Sequence, residues 1–356
     1  MPRARRSPRA RRPAPEPLPL QASWRRHALT LVVFAVLFVT LELVSYTRES
    51  ATYDEPFHLT DGYFSLALAD HRVDPEHPPF LRMWAALPLL MLPGVTADQK
   101  AVNASDPAEW AFDGLFLYAH QFMYVDNDAD RMLYRARMMV VLLGLVLGAL
   151  LYWWAHEWFG WPGATSALTL YALEPNVLSH ARLVTTDFGI TCFIFGAVFF
   201  LWRCVTRWHA GNVAGLALFV ALAVTTKFSG LILAPLLGVL LGVSVHLERL
   251  SARRALALVV LLGATSVAAI WAIYGFRYLP SDVPDWRYAF HSHPFALERV
   301  PRLARVVGWI DERRLLPNMY SQGFLLGQAS AQMRPAFLAG DYSTVGRWYY
   351  SRSRLR

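Results

Sequence analysis

Long apolar stretches, separated by polar segments, dominate the pattern along the chain. A helix needs about 20 apolar residues to cross a hydrocarbon layer of roughly 30 Å, so such stretches predict membrane-spanning helices. We predict seven spans, at residues 27–46, 138–159, 163–179, 188–205, 213–226, 228–246 and 255–276. The stretch 78–93 is also apolar, but it is short and Pro88 interrupts it. It is predicted to form a helix that lies on the membrane surface or re-enters the membrane.

The arginines give these spans an expected orientation. A basic block beside an apolar stretch favours the cytoplasm, so the N-terminus is predicted to be cytoplasmic. Seven spans then place the basic turns around Arg203 and Arg253 in the cytoplasm and residues 47–137 outside. That outer loop carries fourteen acidic residues against five basic ones up to Arg131. The arginines of the N-terminal block are Arg3, Arg5, Arg6, Arg9, Arg11, Arg12, Arg25 and Arg26.

These predictions divide the chain into three parts. Residues 1–26 form a basic cytoplasmic tail, residues 27–276 form a transmembrane module that includes the outer loop 47–137, and residues 277–356 form an outer C-terminal segment. The fold class expected is an all-α polytopic membrane protein with short helices in the outer loop. The expected location is the plasma membrane of a bacterium.

The composition agrees with a membrane protein and excludes several other classes. Of the 356 residues, 55% are hydrophobic and 17% are charged, whereas a soluble domain carries about 25% charged residues. This excludes a disordered chain, a coiled coil and most nucleic-acid-binding modules. The net charge of +8 reflects the N-terminal block, so no nucleic-acid partner is expected. Cys192 and Cys204 fall in one apolar stretch and offer neither a disulfide framework nor a thiolate metal site.

The first candidate for chemistry is the segment 53–58, directly after the first span, which contains Asp54, Glu55 and His58. A carboxylate at the membrane surface can act as general base for an incoming hydroxyl group. The second carboxylate could meet an acceptor, a metal ion or a cation. If the segment is helical, His58 lies one turn from Asp54. The alternative is a helix cap, with acidic residues and a proline in the first turn.

The second candidate is the segment 76–82, in which two prolines fix the backbone between His77 and Arg82. The prolines place His77 at the entrance of the apolar segment 80–92. The alternative is a rigid turn at the membrane surface with an incidental histidine.

Two further candidates lie at the outer ends of later spans. Arg182 and Asp187 belong to a polar hinge before the fourth span, and Lys227 separates the fifth and sixth. Charges at membrane depth are costly, so they tend to mark functional sites. The alternatives are an ordinary cap for Asp187 and a lysine that reaches the headgroups instead of binding a phosphate.

Taken together and in this order, the four segments resemble the polyprenyl-phosphate-dependent glycosyltransferases of the GT-C class. The resemblance is to the family 39 group of protein O-mannosyltransferases and lipid A aminoarabinose transferases, and it covers about residues 28–255. Those proteins share an Asp-Glu pair after the first span, a Pro-Pro motif in the first outer loop, an Arg-Leu motif with an Asp, and a later lysine. The matching residues here are Asp54-Glu55, His77-Pro78-Pro79-Phe80, Arg182-Leu183 with Asp187, and Lys227.

The resemblance implies a GT-C-like helix bundle and an activity. The donor would be a sugar carried on a polyprenyl phosphate, and an acceptor of unknown identity would bind on the extracytoplasmic side of the lipid bilayer. Asp54 would be the base of a single displacement with inversion, and Glu55 would support it or position the acceptor. Lys227 and Arg182 would hold the lipid phosphate as it leaves.

The resemblance also implies supporting roles. His77 and Asp187 would shape the site, and His58 and Arg82 are further candidates for support. No cofactor is required, although some relatives bind a divalent metal near the acidic residues. The ligands of such a metal here would be Asp54, Glu55 and His58.

Two other functions stay open at this point. One is a transporter or flippase for lipid-linked material, with Asp187 and Lys227 lining the path, although no inverted repeat and no pair of broken spans supports it. The other is a non-catalytic, shortened relative, because family members carry further spans and the end of this chain resembles the start of an eighth span. The arginines near the end of the chain could contact lipid phosphates or form a solvated surface. They are Arg299, Arg302, Arg305, Arg313 and Arg314.

Overall fold

The computed structural model describes residues 20–333, 336–338 and 340–344, and it is built almost entirely of helices. The predicted cytoplasmic tail up to residue 19 and the start of an eighth span near residue 348 lie outside the described residues. The α-helices are α1 (Leu20–Tyr46), α2 (Glu55–Ala67), α3 (Phe80–Ala86), α4 (Lys100–Ala104), α5 (Pro107–Glu109), α6 (Leu115–His120), α7 (Ala129–Leu173), α8 (Pro175–His180), α9 (Thr186–Thr206), α10 (Ala210–Thr226), α11 (Leu233–His246), α12 (Ala252–Ile273), α13 (Pro294–Arg299), α14 (Pro301–Glu312) and α15 (Asn318–Ser330).

Shorter elements join these helices. Three segments are 3-10 helices, at Leu87–Met91, Phe228–Ile232 and Phe290–Ser292. Two turns in the loop before α7 are π-helical, at Trp110–Gly114 and Gln121–Val125. Strands β1 (Ala336–Leu338) and β2 (Asp341–Ser343) form a small antiparallel hairpin with Phe337 opposite Tyr342.

The prediction of an all-α polytopic membrane protein is confirmed. Within the described residues, five helices are long and apolar enough to cross a membrane. Helix α10 is apolar but has only 17 residues. The second predicted span and most of the third fall within α7. The five helices are Trp24–Tyr46, Ala129–Leu173, Thr186–Thr206, Phe228–His246 and Ala252–Ile273.

Helix α7 is interrupted at Gly160 and folds back on itself. Gly160 has φ 68° and ψ −168°, a conformation that essentially only glycine adopts, and Pro162 follows it. The Tyr171 hydroxyl donates to the Gly144 carbonyl over 2.9 Å, although a straight helix would separate these residues by about 40 Å. The two predicted spans are therefore packed against each other as a hairpin.

The second arm of this hairpin ends earlier than predicted. The third span was predicted to extend to residue 179, but α7 ends at Leu173 and the short helix α8 follows. Pro175 lacks the N–H that would continue α7. The Glu174 carboxylate instead accepts a hydrogen bond from the Val177 N–H over 2.7 Å and caps α8.

The basic turns gather at one end of the bundle. Glu157, beside the α7 break, forms an ion pair with Arg203 at the end of α9. Arg254 at the start of α12 stacks 4.8 Å from the ring centre of Trp208. The acidic loop and the C-terminal segment lie at the opposite end, which we call the loop end. The helix bundle thus separates the basic turns from the acidic loop.

The predicted helix at 78–93 is packed within the loop end. It forms as α3 and continues as the 3-10 turn Leu87–Met91, in which Pro88 lies in the first turn. Leu81 is fully buried, and the Trp84 indole N–H donates to the Met139 carbonyl of α7 over 2.7 Å. The Phe80 ring lies 5.8 Å from that of Phe193 on α9. Because α7 and α9 cover it, α3 belongs to the protein core.

The C-terminal segment lies on the outer loop. The His71 N–H donates to the Pro280 carbonyl over 2.9 Å, and the Tyr288 hydroxyl donates to the Arg72 carbonyl over 2.8 Å. Helix α15 approaches the loop so closely that a side chain at Gly323 would collide with the Pro75 carbonyl. The C-terminal segment therefore holds loop residues 69–79 in place at the loop end.

Candidate functional site

The Asp54–Glu55 pair lies at the start of α2. This position agrees with the alternative prediction of a helix cap, but the two side chains have different surroundings. Asp54 occupies the N-cap position without capping through its side chain, and it is exposed. Glu55 is completely buried. Pro56 follows in the first turn, where a missing N–H costs nothing. One carboxylate therefore faces solvent while its neighbour points into the protein.

Glu55 is saturated with hydrogen bonds. One oxygen accepts from Arg137 Nε over 2.9 Å and from the Val184 N–H over 3.0 Å. The other accepts from Arg137 Nη2 over 2.7 Å, from the Thr52 N–H over 2.8 Å and from the Thr52 hydroxyl over 3.1 Å. Burial by itself raises the pKa of Glu55, but the hydrogen bonds and charge of Arg137 hold it below its ordinary value. Glu55 is thus an ionised anchor that positions Asp54.

Arg137, the partner of Glu55, was not among the predicted site residues. Its side chain is completely buried in the first turns of α7. Besides Glu55, its guanidinium donates to the carbonyls of Tyr46, Glu49 and Ser50, each over 2.9 Å. It therefore ties the end of α1 to the start of α2. An arginine next to an apolar run was the signal that could have identified it.

His58 lies one turn after Asp54, as predicted for a helix. It is buried, and its Nδ1 lies 2.9 Å from the Val184 carbonyl in the turn before α9. Burial lowers the pKa of His58. Its ring centre is 6.0 Å from that of His77. The second of the predicted segments is thus brought beside the first.

His77 occupies the centre of the site. Its Nδ1 is buried and has no hydrogen-bond partner among the described residues. Burial lowers the pKa of His77 to about 3, and the nearby charges of His58, Arg82 and Lys227 act in the same direction against that of Asp74. The imidazole is therefore neutral at ordinary pH, and its buried Nδ1 is not committed to another described side chain.

Asp187 and Lys227 meet across two helix ends. Asp187 opens α9, where its charge suits the helix dipole, and Lys227 follows the last residue of α10. Lys227 Nζ lies 2.6 Å from Asp187 Oδ1, with side-chain exposures of 21% and 64%. The sequence predicted both residues for the site, and each lies within electrostatic range of His77.

Arg182 is engaged elsewhere. Its guanidinium donates to Glu49 Oε1 over 2.8 Å and to the Leu178 carbonyl over 3.0 Å. A second carboxylate, that of Glu42 in α1, lies 4.0 Å away and is fully buried. Arg182 is thus paired with the end of α1, whereas Lys227 is paired with Asp187. A phosphate that reached Arg182 would compete with Glu49.

Arg82 is part of a buried ionic cluster. Its Nε lies 3.1 Å from Asp61, and its Nη1 lies 2.5 Å from Asp74. A further N–H donates to the His77 carbonyl. Burial raises the pKa of Asp61 to about 7, partly offset by Arg82. The cluster positions the backbone of His77, and its two aspartates were not predicted.

A metal ion finds few ligands in this arrangement. Among the described residues, no group of three His, Cys, Asp or Glu side chains has a geometry that could hold one. Of the suggested ligands, Glu55 has both oxygens committed to Arg137, Thr52 and Val184. His58 Nδ1 is committed to a carbonyl. Only Asp54 offers a free carboxylate, so the three residues do not fit a shared metal.

A helix bundle with a polar site at one end of its spans is consistent with the GT-C class of membrane glycosyltransferases. Residues 129–274 match the family model of dolichyl-phosphate-mannose-protein mannosyltransferase. This match agrees with the resemblance found in the motifs and supports a membrane glycosyltransferase of the GT-C type. Searches of curated proteins and of solved structures gave no match.

The family match covers the helices from the start of α7 to the residue after α12. It includes Arg182, Asp187 and Lys227 and does not reach Asp54 or His77. The match therefore supports the class of protein. The roles of individual side chains rest on their geometry.

Proposed function

We propose that the protein transfers a sugar from a polyprenyl-phosphate donor to an acceptor hydroxyl on the extracytoplasmic face of a membrane. The observation that carries this proposal is the convergence of three predicted segments at the loop end. The neutral His77 lies beside His58, one turn from Asp54, and within the electrostatic range of the Asp187–Lys227 pair. A base and a cation are thus available around one polar centre.

Asp54 is the proposed base. Its carboxylate is exposed, whereas the saturated Glu55 holds its backbone at the start of α2. The acceptor oxygen attacks the anomeric carbon while Asp54 takes its proton. The bond between that carbon and the phosphate oxygen breaks, and the polyprenyl phosphate leaves with the electron pair. A single displacement of this kind inverts the anomeric centre.

Lys227 is the proposed partner of the departing phosphate. It lies between α10 and the following 3-10 turn and is partly exposed, so its ammonium group is accessible from the loop end. Negative charge grows on the phosphate in the transition state, and a preorganised cation lowers its energy. Asp187 holds the lysine in place until the phosphate arrives. Arg182 would join this site only where the phosphate displaces Glu49 from its guanidinium.

The charge pattern of the turns supports one orientation in the membrane. The short turns between spans at the end of the bundle opposite the site are basic and include Arg203, Arg207 and Arg254. Positive turns favour the cytoplasm, so we place the loop end on the extracytoplasmic face. The donor would be made in the cytoplasm and reach the site after it is flipped across the bilayer.

The test uses the full chain, purified and reconstituted with candidate polyprenyl-phosphate sugars, and follows the release of polyprenyl phosphate. Asp54→Asn is expected to lower the rate by about 10²–10⁴-fold, as for loss of a general base. The matched control is Asp130→Asn, an exposed carboxylate at the same end of the bundle. Full activity of Asp54→Asn would contradict the role of Asp54 as the base.

The role of Lys227 is tested in the same assay. Lys227→Met is expected to weaken binding and turnover of the lipid donor, and Lys227→Arg is expected to recover part of both because it restores the charge. Addition of a chelator then measures metal dependence, and we propose that none is required. Movement of the lipid-linked sugar from one leaflet of the vesicle membrane to the other, without transfer of the sugar, would instead support a flippase.

A further inference from the structure

Helix α14 has two clearly different faces. The residues that face the protein are Ala304, Val307, Gly308 and Asp311, which are all buried and recur at helical spacing. The opposite face, which we call the basic face, is exposed. It consists of Arg302, Arg305, Val306, Trp309 and Arg313. The helix is therefore amphipathic, but its outer face mixes arginines with large apolar side chains.

The apolar members of the basic face are exposed. Val306 is 54% exposed and Trp309 is 50% exposed. The Arg313 guanidinium stacks 4.6 Å from the Trp309 ring centre. An amphipathic helix with tryptophan and arginine on its free face is typical of the membrane interface.

The arginines of this face are weakly compensated. Among the described residues, Arg302 and Arg305 have no acidic partner within ion-pair distance, and Arg313 has only the exposed Glu312 at 3.7 Å. Asp311 points inward, where its Oδ1 accepts a hydrogen bond from Asn318 over 3.0 Å. The basic face therefore carries a net positive charge.

The position of α14 brings this face to the edge of a membrane span. Directly after the helix, the Leu315 carbonyl accepts a hydrogen bond from the Trp271 indole over 3.3 Å. Trp271 belongs to the last turn of α12, one of the five spans. Phe276, just beyond that span, is 71% exposed. The C-terminal end of α14 thus lies level with the end of α12, where lipid headgroups surround a spanning helix.

We propose that the basic face of α14 binds the headgroup layer of an anionic phospholipid bilayer. Trp309 and Val306 enter the interface, and Arg302, Arg305 and Arg313 contact lipid phosphates. An anionic bilayer matches the exposed apolar side chains, the weakly compensated arginines and the position of α14 beside α12. It offers lipid phosphates and an apolar layer directly next to that span. The inference concerns the attachment of the C-terminal segment and does not depend on the transfer reaction.

The experiment measures the contact of Trp309 with lipid. The full chain is reconstituted in vesicles of phosphatidylcholine, or of phosphatidylcholine with phosphatidylglycerol, in which the acyl chains carry bromine as a quencher. The contribution of Trp309 is the difference in quenching between the parent and Trp309→Phe. We expect this difference to be large with phosphatidylglycerol, smaller with phosphatidylcholine alone, and reduced by salt.

Substitution of the three arginines tests whether their charge, and not only the closeness of Trp309 to the bilayer, attaches the helix. The triple variant Arg302→Gln, Arg305→Gln, Arg313→Gln is expected to lose the phosphatidylglycerol-dependent part of the quenching. Each arginine near an anionic surface contributes about fivefold to attachment, so the three contribute roughly 100-fold. The control variant Arg253→Gln, Arg254→Gln removes two arginines at the opposite end of the bundle and should behave as the parent.

The proposal is overturned if Trp309 is quenched by a water-soluble quencher in every bilayer and not by brominated lipid. It is also overturned if the triple variant, folded as judged by its thermal unfolding, keeps the full phosphatidylglycerol effect. Equal quenching in both lipid mixtures would show an interface without anionic preference and would remove the role assigned to the arginines.

Discussion

The buried ion pair between Glu55 and Arg137 makes the sharpest prediction about this protein. Both side chains are completely excluded from solvent, and Arg137 also satisfies three backbone carbonyls at the end of α1. The substitution Arg137→Leu keeps an apolar stem of similar shape but leaves the Glu55 carboxylate with two fewer donors. An uncompensated buried charge of this kind costs about 3–5 kcal/mol.

The expected result is a large loss of stability, and the assay can use the two buried thiols of the chain. Cys192 and Cys204 are both fully buried, so a thiol-reactive fluorescent dye reports unfolding of the detergent-solubilised protein. We expect Arg137→Leu to lower the free energy of unfolding by about 3–5 kcal/mol. Arg135→Gln is the matched control, since Arg135 is exposed two residues away and should change stability by less than about 0.5 kcal/mol.

A double variant tests the reasoning itself. Removal of both charges in Glu55→Leu, Arg137→Leu leaves no carboxylate to be stranded, so it should be more stable than the single variant Arg137→Leu. Sugar transfer should be reduced in both, because Asp54 loses its anchored neighbour. If Arg137→Leu is as stable as the parent, or if the double variant is the less stable one, the ion pair does not hold this region together.

Two further predictions concern pH and the break in α7. Burial lowers the pKa of His71 to about 3 from 6.5; the unfolded chain binds a proton that the folded chain does not, so stability is present above pH 6.5 and falls as the pH decreases. At pH 5 this group lowers the free energy of unfolding by about 2 kcal/mol. His71→Gln should therefore make the unfolding temperature less dependent on pH between 6.5 and 5. An unchanged pH dependence would argue against this role of His71. Gly160→Ala should destabilise by about 1–3 kcal/mol because of its positive φ. The helical control Gly238→Ala, which meets no neighbour, should not destabilise in the same thermal unfolding assay.

The sequence was sufficient for the helical class and for most of the spans. Runs of apolar residues are local signals, and α1, α9, α12 and the first arm of α7 lie where they were predicted. The extent of the second arm was not predictable with equal accuracy. Its end depends on Pro175 and on the capping carboxylate of Glu174, which replace α7 by a new helix.

The candidate site was predicted in its members but not in its contacts. His58, His77, Asp187 and Lys227 were selected from the sequence, and the fold brings them to one end of the bundle. The different surroundings of Asp54 and Glu55 could not be deduced, because adjacent acidic residues look equivalent in a sequence. The roles proposed for these residues stay predictions until transfer is measured.

The sequence by itself determined that this is a polytopic membrane protein with its acidic loop and its basic turns at opposite ends, because hydrophobicity and charge act along the chain. Only the tertiary structure decided which charges are partners. Glu55 meets Arg137 from 82 positions away, and Asp187 meets Lys227 from 40. Such pairs depend on which helices become neighbours, and a buried charge is stable only where the fold supplies its counterpart.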